Sequence, residues 1–173
     1  MRYSRQLLLS DGFGLLGQRK LLLSSVLVVG TGGIGSTLLP FLAASDMGRI
    51  TVVNHNYVEV YNLRRKVIHT EGRRGMSKAR SARNAMRSLN PTASVMVVME
   101  PLTWDNTMEL VRGNNCVVDT SDNPCTWYLI KDACVLAGRE LKTAAMTNGI
   151  SGRGGGPIPL VSGSAMGTKG QLR

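Results

Sequence analysis

An α/β domain with a doubly wound, mostly parallel sheet and short N-terminal helices is the fold this sequence predicts, and three observations predict it. Val26-Leu27-Val28-Val29 is an unbroken aliphatic run that reads as a strand buried on both faces. It enters Gly30-Thr31-Gly32-Gly33-Ile34-Gly35, where Gly30, Gly32 and Gly35 keep G-x-G-x-x-G spacing between a strand and a helix. From there strand-like and helix-like segments alternate, as they do in parallel sheets with crossover helices.

The elements follow in order. Met1 to Arg5 is polar, and Gln6 to Leu23 carries leucine clusters broken by Asp11-Gly12 and Gly14. Residues 1–25 therefore read as a helical segment, two short helices packed beside the sheet or against another subunit. After the first strand, Ser36 to Ser45 has helical spacing with Leu38, Leu39, Leu42 and Ala43 on one face. Asp46-Met47-Gly48 closes that helix and Arg49 to Val53 is the second strand. Asn54 to Thr70 is too long and polar for an ordinary connection, which marks it as a functional loop. Ser77 to Leu89 is a helix stopped by Asn90-Pro91, Ser94 to Met99 a strand, Trp104 to Arg112 a helix and Cys116 to Asp119 a strand. Asp122-Asn123-Pro124 caps a helix running to about Ala137. Residues 140–158, ending in a glycine-rich run, read as a flexible insert, and 159–173 resumes the same domain with one short strand.

Composition narrows the function classes. The 173 residues suit one domain, and 43% hydrophobic content argues against global disorder. No apolar run approaches the ~20 residues of a membrane span and no signal-peptide core opens the chain, so a cytoplasmic protein without a membrane is expected. Cys116, Cys125 and Cys134 are spaced neither as a C-x-x-C pair nor as a disulfide framework. Cys116 and Cys134 read as core thiols and Cys125 as a loop residue. The net charge of +10 gathers between Arg64 and Arg87, but without interleaved aromatics it does not point to nucleic acid. Polyphosphate or an acidic protein explains it equally well.

The glycine turn binds a nucleotide because it brings backbone N–H groups to a phosphate at the positive end of a helix. A dinucleotide site wants an acidic residue at the end of the second strand, and that position is Asn54, which can accept a hydrogen bond but has no carboxylate charge. Arg64 and Arg65 keep NADP open. Arg65 and Lys78 are cations suited to triphosphate, and Asp122, just past the fourth strand, can hold Mg²⁺ against phosphate oxygens.

Several further motifs carry a resemblance. Arg2-Tyr3-Ser4-Arg5-Gln6, Gly30 to Ser36, Asn62-Leu63-Arg64-Arg65, Gly75-Met76-Ser77-Lys78 and Asp119-Thr120-Ser121-Asp122-Asn123 stand in the order and spacing of one family. The chain resembles the MoeB/ThiF family of ubiquitin-activating-like adenylating enzymes, of which the molybdopterin-synthase adenylyltransferase/sulfurtransferase branch is nearest. The likeness holds from Arg2 to about Arg139 and resumes at Val161 to Ala165 and Gly170 to Leu172. It implies a Rossmann-like, ThiF-type domain that uses ATP to adenylate the C-terminal glycine of a ubiquitin-like sulfur carrier ending in Gly-Gly. The carrier would be of the molybdopterin synthase small-subunit or tRNA-thiolation type.

By matched position, Gly30, Gly32, Gly33 and Gly35 would cradle phosphate, Asn54 and Asn62 would contact the nucleotide, Arg65 and Lys78 would neutralise phosphates, and Asp122 would hold Mg²⁺. Arg5 would reach a neighbouring subunit's site, which implies a homodimer. The departures are Asn54 in place of the ribose aspartate, Asn56 at a nearby acidic position, Lys66 in place of a glutamine, and the 140–158 insert. The family's paired C-x-x-C zinc motifs, later catalytic cysteine, crossover loop and rhodanese domain have no counterpart within these residues, so sulfur transfer is not expected of them. Two other readings stay open: a catalytically deficient partner subunit whose contribution is Arg5 in trans, and an NAD(P)-linked oxidoreductase. His55 and His69 read as loop and cap residues.

Overall fold

The computed structural model describes residues 3–9, 13–147, 156–166 and 169–172. Arg2, the Asp11-Gly12 break and the glycine run 148–155 lie outside them. Two helices, α1 (Ser4–Leu7) and α2 (Gly14–Leu23), open the chain. Then come β1 (Ser25–Val29), α3 (Gly33–Ala44), β2 (Arg49–Val53), α4 (Lys78–Leu89), β3 (Val95–Val98), α5 (Trp104–Arg112), β4 (Cys116–Asp119), α6 (Pro124–Thr147), β5 (Leu160–Met166) and β6 (Lys169–Leu172). Two 3-10 turns, Val60–Arg65 and Glu71–Arg73, lie in the long connection after β2.

The strands form one sheet in the order β3-β2-β1-β4-β5-β6. The first five are parallel, with Val26 beside Ile50 and Cys116 and Val29 beside Val53 and Asp119, and β6 closes the edge antiparallel to β5. Side chains alternate across a strand, so β1 feeds two cores. Val26 and Val28 pack with Ile50, Val52 and Val95 under Leu39 and Ala43 of α3 and Ala79, Ala82 and Met86 of α4. Leu27 and Val29 pack with Val117 under Met108 and Val111 of α5 and Ile130, Ala133, Cys134 and Ala137 of α6. Helices therefore cover both faces, as the aliphatic run requires.

Two boundaries differ from expectation. Helix α3 begins at Gly33, not Ser36, because the last glycines of the turn already have helical backbone. Helix α6 runs to Thr147, so the first residues of the 140–158 segment are helical rather than a flexible insert. The misleading residue is Gly138, which resembles a helix stop. In the fold it is an approach point: a Cβ there would lie 2.5 Å from the Cα of Pro157. The returning strap lies against it, the Ile158 N–H donates to the Cys134 carbonyl (3.1 Å), and Ile158 is buried. Past Gly138, Arg139 to Thr147 contains no helix breaker, and Glu140 accepts two bonds from Arg112 of α5, each 2.8 Å. No helix among the described residues is long and apolar enough to cross a membrane.

Candidate nucleotide-binding site

The chain leaves β1 toward β2 on one side, while β4 lies on the other. Loops from the carboxyl ends of β1 and β4 thus part to opposite faces and open a crevice, the place where such sheets take ligands. The glycine turn forms one wall, the connection from β2 to α4 a second, and the loop after β4 a third.

The four glycines of the turn divide the work. Gly30 has φ +96°, and a Cβ on it would lie 2.9 Å from the Thr120 hydroxyl oxygen. A Cβ on Gly35 would lie 2.3 Å from the Gly30 carbonyl oxygen. These two let the turn close against Thr120, whose hydroxyl donates between the carbonyls of Val29 (2.9 Å) and Gly30 (3.0 Å). Gly32 and Gly33 face outward. A Cβ on Gly32 would meet nothing within 4 Å, and one on Gly33 would meet only the Arg65 carbonyl at 3.7 Å. The first helical bond is Ser36 N–H to the Gly32 carbonyl, so the N–H groups of residues 33–35 have no partner within α3 and open toward that space.

The second wall is tied down at several points. Asn54 donates its N–H to the Val98 carbonyl (3.0 Å), and its Oδ1 accepts from the Asn56 N–H (2.9 Å). The side-chain oxygen at the expected ribose position therefore also turns the loop. Val58 N–H donates to the Met76 carbonyl and Lys78 N–H to the Asn56 carbonyl, each 2.9 Å, which fixes the start of α4. Lys78 is its first residue and only 7% exposed. His69, expected as a loop or cap residue, is buried and bridges three elements. Its Nε2 lies 3.2 Å from the Thr31 carbonyl and its Nδ1 2.9 Å from the Ser81 hydroxyl. A carbonyl only accepts, so Nε2 carries the proton and the serine donates to Nδ1. Burial pushes the imidazole down to about 4; the Thr31 bond opposes this, and Lys78, Lys66 and Arg73 add to it. A single histidine in a polar loop carries no periodic signal, so only its tertiary position reveals this role.

Cations gather beside this clamp. Lys66 is 8% exposed, and burial first, then Lys78 and Arg65, push its ammonium down to about 8, while Asp122 pulls the other way. Arg65, Lys78 and Asp122 thus lie within electrostatic reach of one buried amine at the N-terminal end of α3. On the third wall, the α6 cap narrows to Asn123, whose Oδ1 accepts from the Cys125 N–H (2.9 Å). Asp122 takes no part in the cap and stays exposed. Its neighbour Asp119 is buried and accepts from the Ser121 N–H (2.9 Å); burial raises its carboxyl, with the Ser121 hydroxyl and N–H opposing.

The residues present fit a polyphosphate. Thr31 Oγ1 and Ser77 Oγ are buried without a protein partner, one hydroxyl in the glycine turn and one at the start of α4. Together with the free N–H groups of α3 they can donate to phosphate oxygens. Asp122 is a carboxylate of the kind Mg²⁺ takes alongside substrate phosphates. Among the described residues no group of three His, Cys, Asp or Glu could hold a metal by itself. Asn62 lies in the Val60–Arg65 turn, but its side chain is outside the described set. The cysteines are not drawn in: burial pushes Cys134 up to about 12 and raises Cys116, while Cys125 is exposed at the start of α6.

Among the described side chains, Arg5 lies away from this cluster. It is exposed on α1, and the neighbouring Tyr3 hydroxyl accepts from Asn90 Nδ2 (3.4 Å). The same amide donates to the Ala43 carbonyl (2.8 Å) at the last residue of α3. Helix α3 has 12 residues and spans roughly 18 Å, so α1 sits at the end opposite the glycine turn.

Comparisons with known proteins agree with this fold. The model of the ThiF family matches residues 3–173. The mouse protein named adenylyltransferase and sulfurtransferase MOCS3 is 48% identical over 145 residues, covering 84% of this chain and 31% of that protein. The Arabidopsis thaliana protein of the same name is 43% identical over 171 residues, covering 99% of the chain and 32% of its own length. The chain thus spans about a third of the curated relatives it matches. Among solved structures, E. coli tRNA N6-threonylcarbamoyladenosine dehydratase TcdA in complex with ATP superposes with a TM-score of 0.69 at 26% identity, over 88% of this chain and 56% of that one. E. coli MccB shares the fold, with a TM-score of 0.76 at 23% identity over 94% and 44% of the two chains.

Proposed function

This chain belongs to the ThiF family, and from that membership we propose that it adenylates the C-terminal glycine of a ubiquitin-like sulfur-carrier protein with ATP. The observation that carries the reading is the open Gly32–Gly33 turn at the amino end of α3, beside a loop lysine on which Arg65, Lys78 and Asp122 all act. The naming of MOCS3 relatives as adenylyltransferases and the ATP complex of TcdA support it.

In this reading residues 1–139 act as the ATP-binding unit, with the strap at 159–173 completing its sheet edge. The turn's N–H groups and the hydroxyls of Thr31 and Ser77 hold phosphate oxygens, and Asn54 faces the ribose. The carrier's terminal carboxylate oxygen attacks the α-phosphorus, the bond to the bridging oxygen of the β-phosphate breaks, and pyrophosphate leaves. Arg65 and Lys78 stabilise the charge that builds on those oxygens, in a site whose cations are already in place before reaction. Mg²⁺ held at Asp122 would supply further charge neutralisation.

The test is ATP–pyrophosphate exchange driven by a Gly-Gly-ended carrier. Exchange that needs the carrier and is lost in Lys78→Met supports the reading. Saturable ATP binding with no carrier-dependent exchange contradicts it.

The position of Arg5 favours a second element: at the far end of α3 from its own turn, it serves a site only by reaching a second subunit, in a homodimer. Mixing Arg5→Ala chains with Lys78→Met chains should restore exchange in the mixed dimer, and no restoration would remove that role.

A further inference from the structure

The connection from β2 to α4, fastened to the glycine turn by His69, carries a cation with no assigned task. Lys66 lies between Arg65, whose carbonyl is in van der Waals range of the first residue of α3, and the His69 clamp. Its backbone is held on both sides, with its N–H donating to the Leu63 carbonyl (3.2 Å) and its carbonyl accepting from the His69 N–H (3.0 Å). The side chain is 8% exposed, and the Lys78 ammonium lies within electrostatic range of it.

That is a costly arrangement for a folded chain. A buried ammonium ordinarily finds a carboxylate, and two ammonium groups at such range repel each other. Yet among the described residues the ion pair is Arg112 with Glu140, far along α5 and α6, and no carboxylate closes on Lys66 within ion-pair distance. With Arg65 and Lys78, Lys66 makes a group of three cations, opposed by the carboxylate of Asp122. The buried hydroxyls of Thr31 and Ser77, without a protein partner, lie in the glycine turn and just before Lys78. Positive charge prevails here, and the N–H groups at the start of α3 add further donors. A ligand that satisfies all of them must be rich in acceptor oxygens and carry several negative charges.

We propose that Lys66 is a polyphosphate-binding residue that contacts the phosphates beyond the α-phosphate, and so makes the site prefer triphosphate over monophosphate. The inference rests on the ATP reading above. Asp122 offsets one of the three cations, so a monophosphate leaves less unbalanced charge for Lys66 to meet than a triphosphate does.

The experiment is calorimetric titration of the full chain, as wild type, Lys66→Met and Lys66→Arg, with inorganic tripolyphosphate, ATP and AMP. One charged contact is worth about 10- to 100-fold in affinity, so Lys66→Met should weaken tripolyphosphate and ATP by at least about 10-fold. AMP affinity should change by less than about 3-fold, and Lys66→Arg should recover most of the loss. Melting temperature is followed for each variant, and Lys66→Gln serves as a second neutral replacement if the methionine variant does not fold. Equal binding of all three ligands by wild type and the neutral variants overturns the proposal. Equal loss for AMP and tripolyphosphate, unrescued by arginine, also overturns it and leaves Lys66 a packing residue. If wild type binds tripolyphosphate through Lys66 but not ATP, the polyanion contact stands and the adenylation reading falls. If it binds neither, both fall.

Discussion

His69 donates from Nε2 to the Thr31 carbonyl across 3.2 Å, and through that bond the loop after β2 is fastened to the glycine turn. The imidazole also accepts from Ser81 on α4, so one side chain sets the spacing of the two walls that would enclose phosphate. Replacing it by alanine leaves a buried carbonyl and a buried hydroxyl without their partner, at a cost of about 2–3 kcal/mol. Urea unfolding of His69→Ala should show that loss, together with weaker ATP binding.

The same histidine makes stability depend on pH. Unfolded, it takes up a proton near its ordinary 6.5; folded, burial defers this to about 4. The unfolded state therefore binds more protons across that window. The stabilising effect is complete above about pH 6.5 and is lost as pH falls toward 4, by about 1.4 kcal/mol per pH unit at the steepest. Urea midpoints between pH 4 and 7 should show this slope in wild type and a shallower one in His69→Gln. Identical profiles would contradict the clamp.

Two glycines of one turn should respond oppositely to alanine. A Cβ on Gly35 meets the Gly30 carbonyl at 2.3 Å, so Gly35→Ala should destabilise by roughly 3 kcal/mol. Gly32 has open space at that position, so Gly32→Ala should cost less than about 1 kcal/mol. Its methyl would stand where phosphate is proposed, however, and ATP affinity should drop about 10-fold or more. Thermal melts and ATP titrations of the two variants separate packing from binding.

Asn54 offers one oxygen, and that oxygen already turns the loop through Asn56. Asn54→Asp keeps that acceptor and adds a second, charged one for the ribose hydroxyls. ATP should bind about 5- to 10-fold tighter, with inorganic tripolyphosphate unchanged or weaker. Equal tightening for both ligands would move Asn54 away from the ribose.

Gly138→Ala tests the strap behind the sheet. The added methyl would lie 2.5 Å from the Pro157 Cα and should push the strap away, uncovering Ile158. A loss of about 1–3 kcal/mol with faster exchange of the Ile158 amide is expected. A gain in stability, as for an ordinary helix-interior glycine, would contradict the close approach.

These contrasts show what was legible in the sequence. The four aliphatic residues of β1 and the stripe Leu38, Leu39, Leu42, Ala43 announced a buried strand and its crossover helix because burial on both faces leaves a local pattern. Arg65, Lys78 and Asp122 could be nominated because each follows a strand end on the ligand side of a parallel sheet. Gly138 misled because a glycine that admits a neighbouring backbone looks the same in sequence as one that ends a helix. Lys66 and His69 were opaque for another reason: their burial comes from a loop folding over a distant turn, and neither local spacing nor residue type encodes it. The pairing of Lys169–Leu172 with β5 is likewise a tertiary matter, since a short polar segment at a sheet edge has no apolar face to mark it.

The proposed chemistry requires a polyanion over the amino end of α3, ringed by cations from the loop after β2. It is tested most directly by titrating Mg-ATP into wild type and into an Arg65→Ala, Lys78→Met double variant. Saturable binding by wild type that weakens at least about 100-fold in a folded double variant is the predicted result. Equal affinity in the two, or no binding by wild type at all, would contradict it.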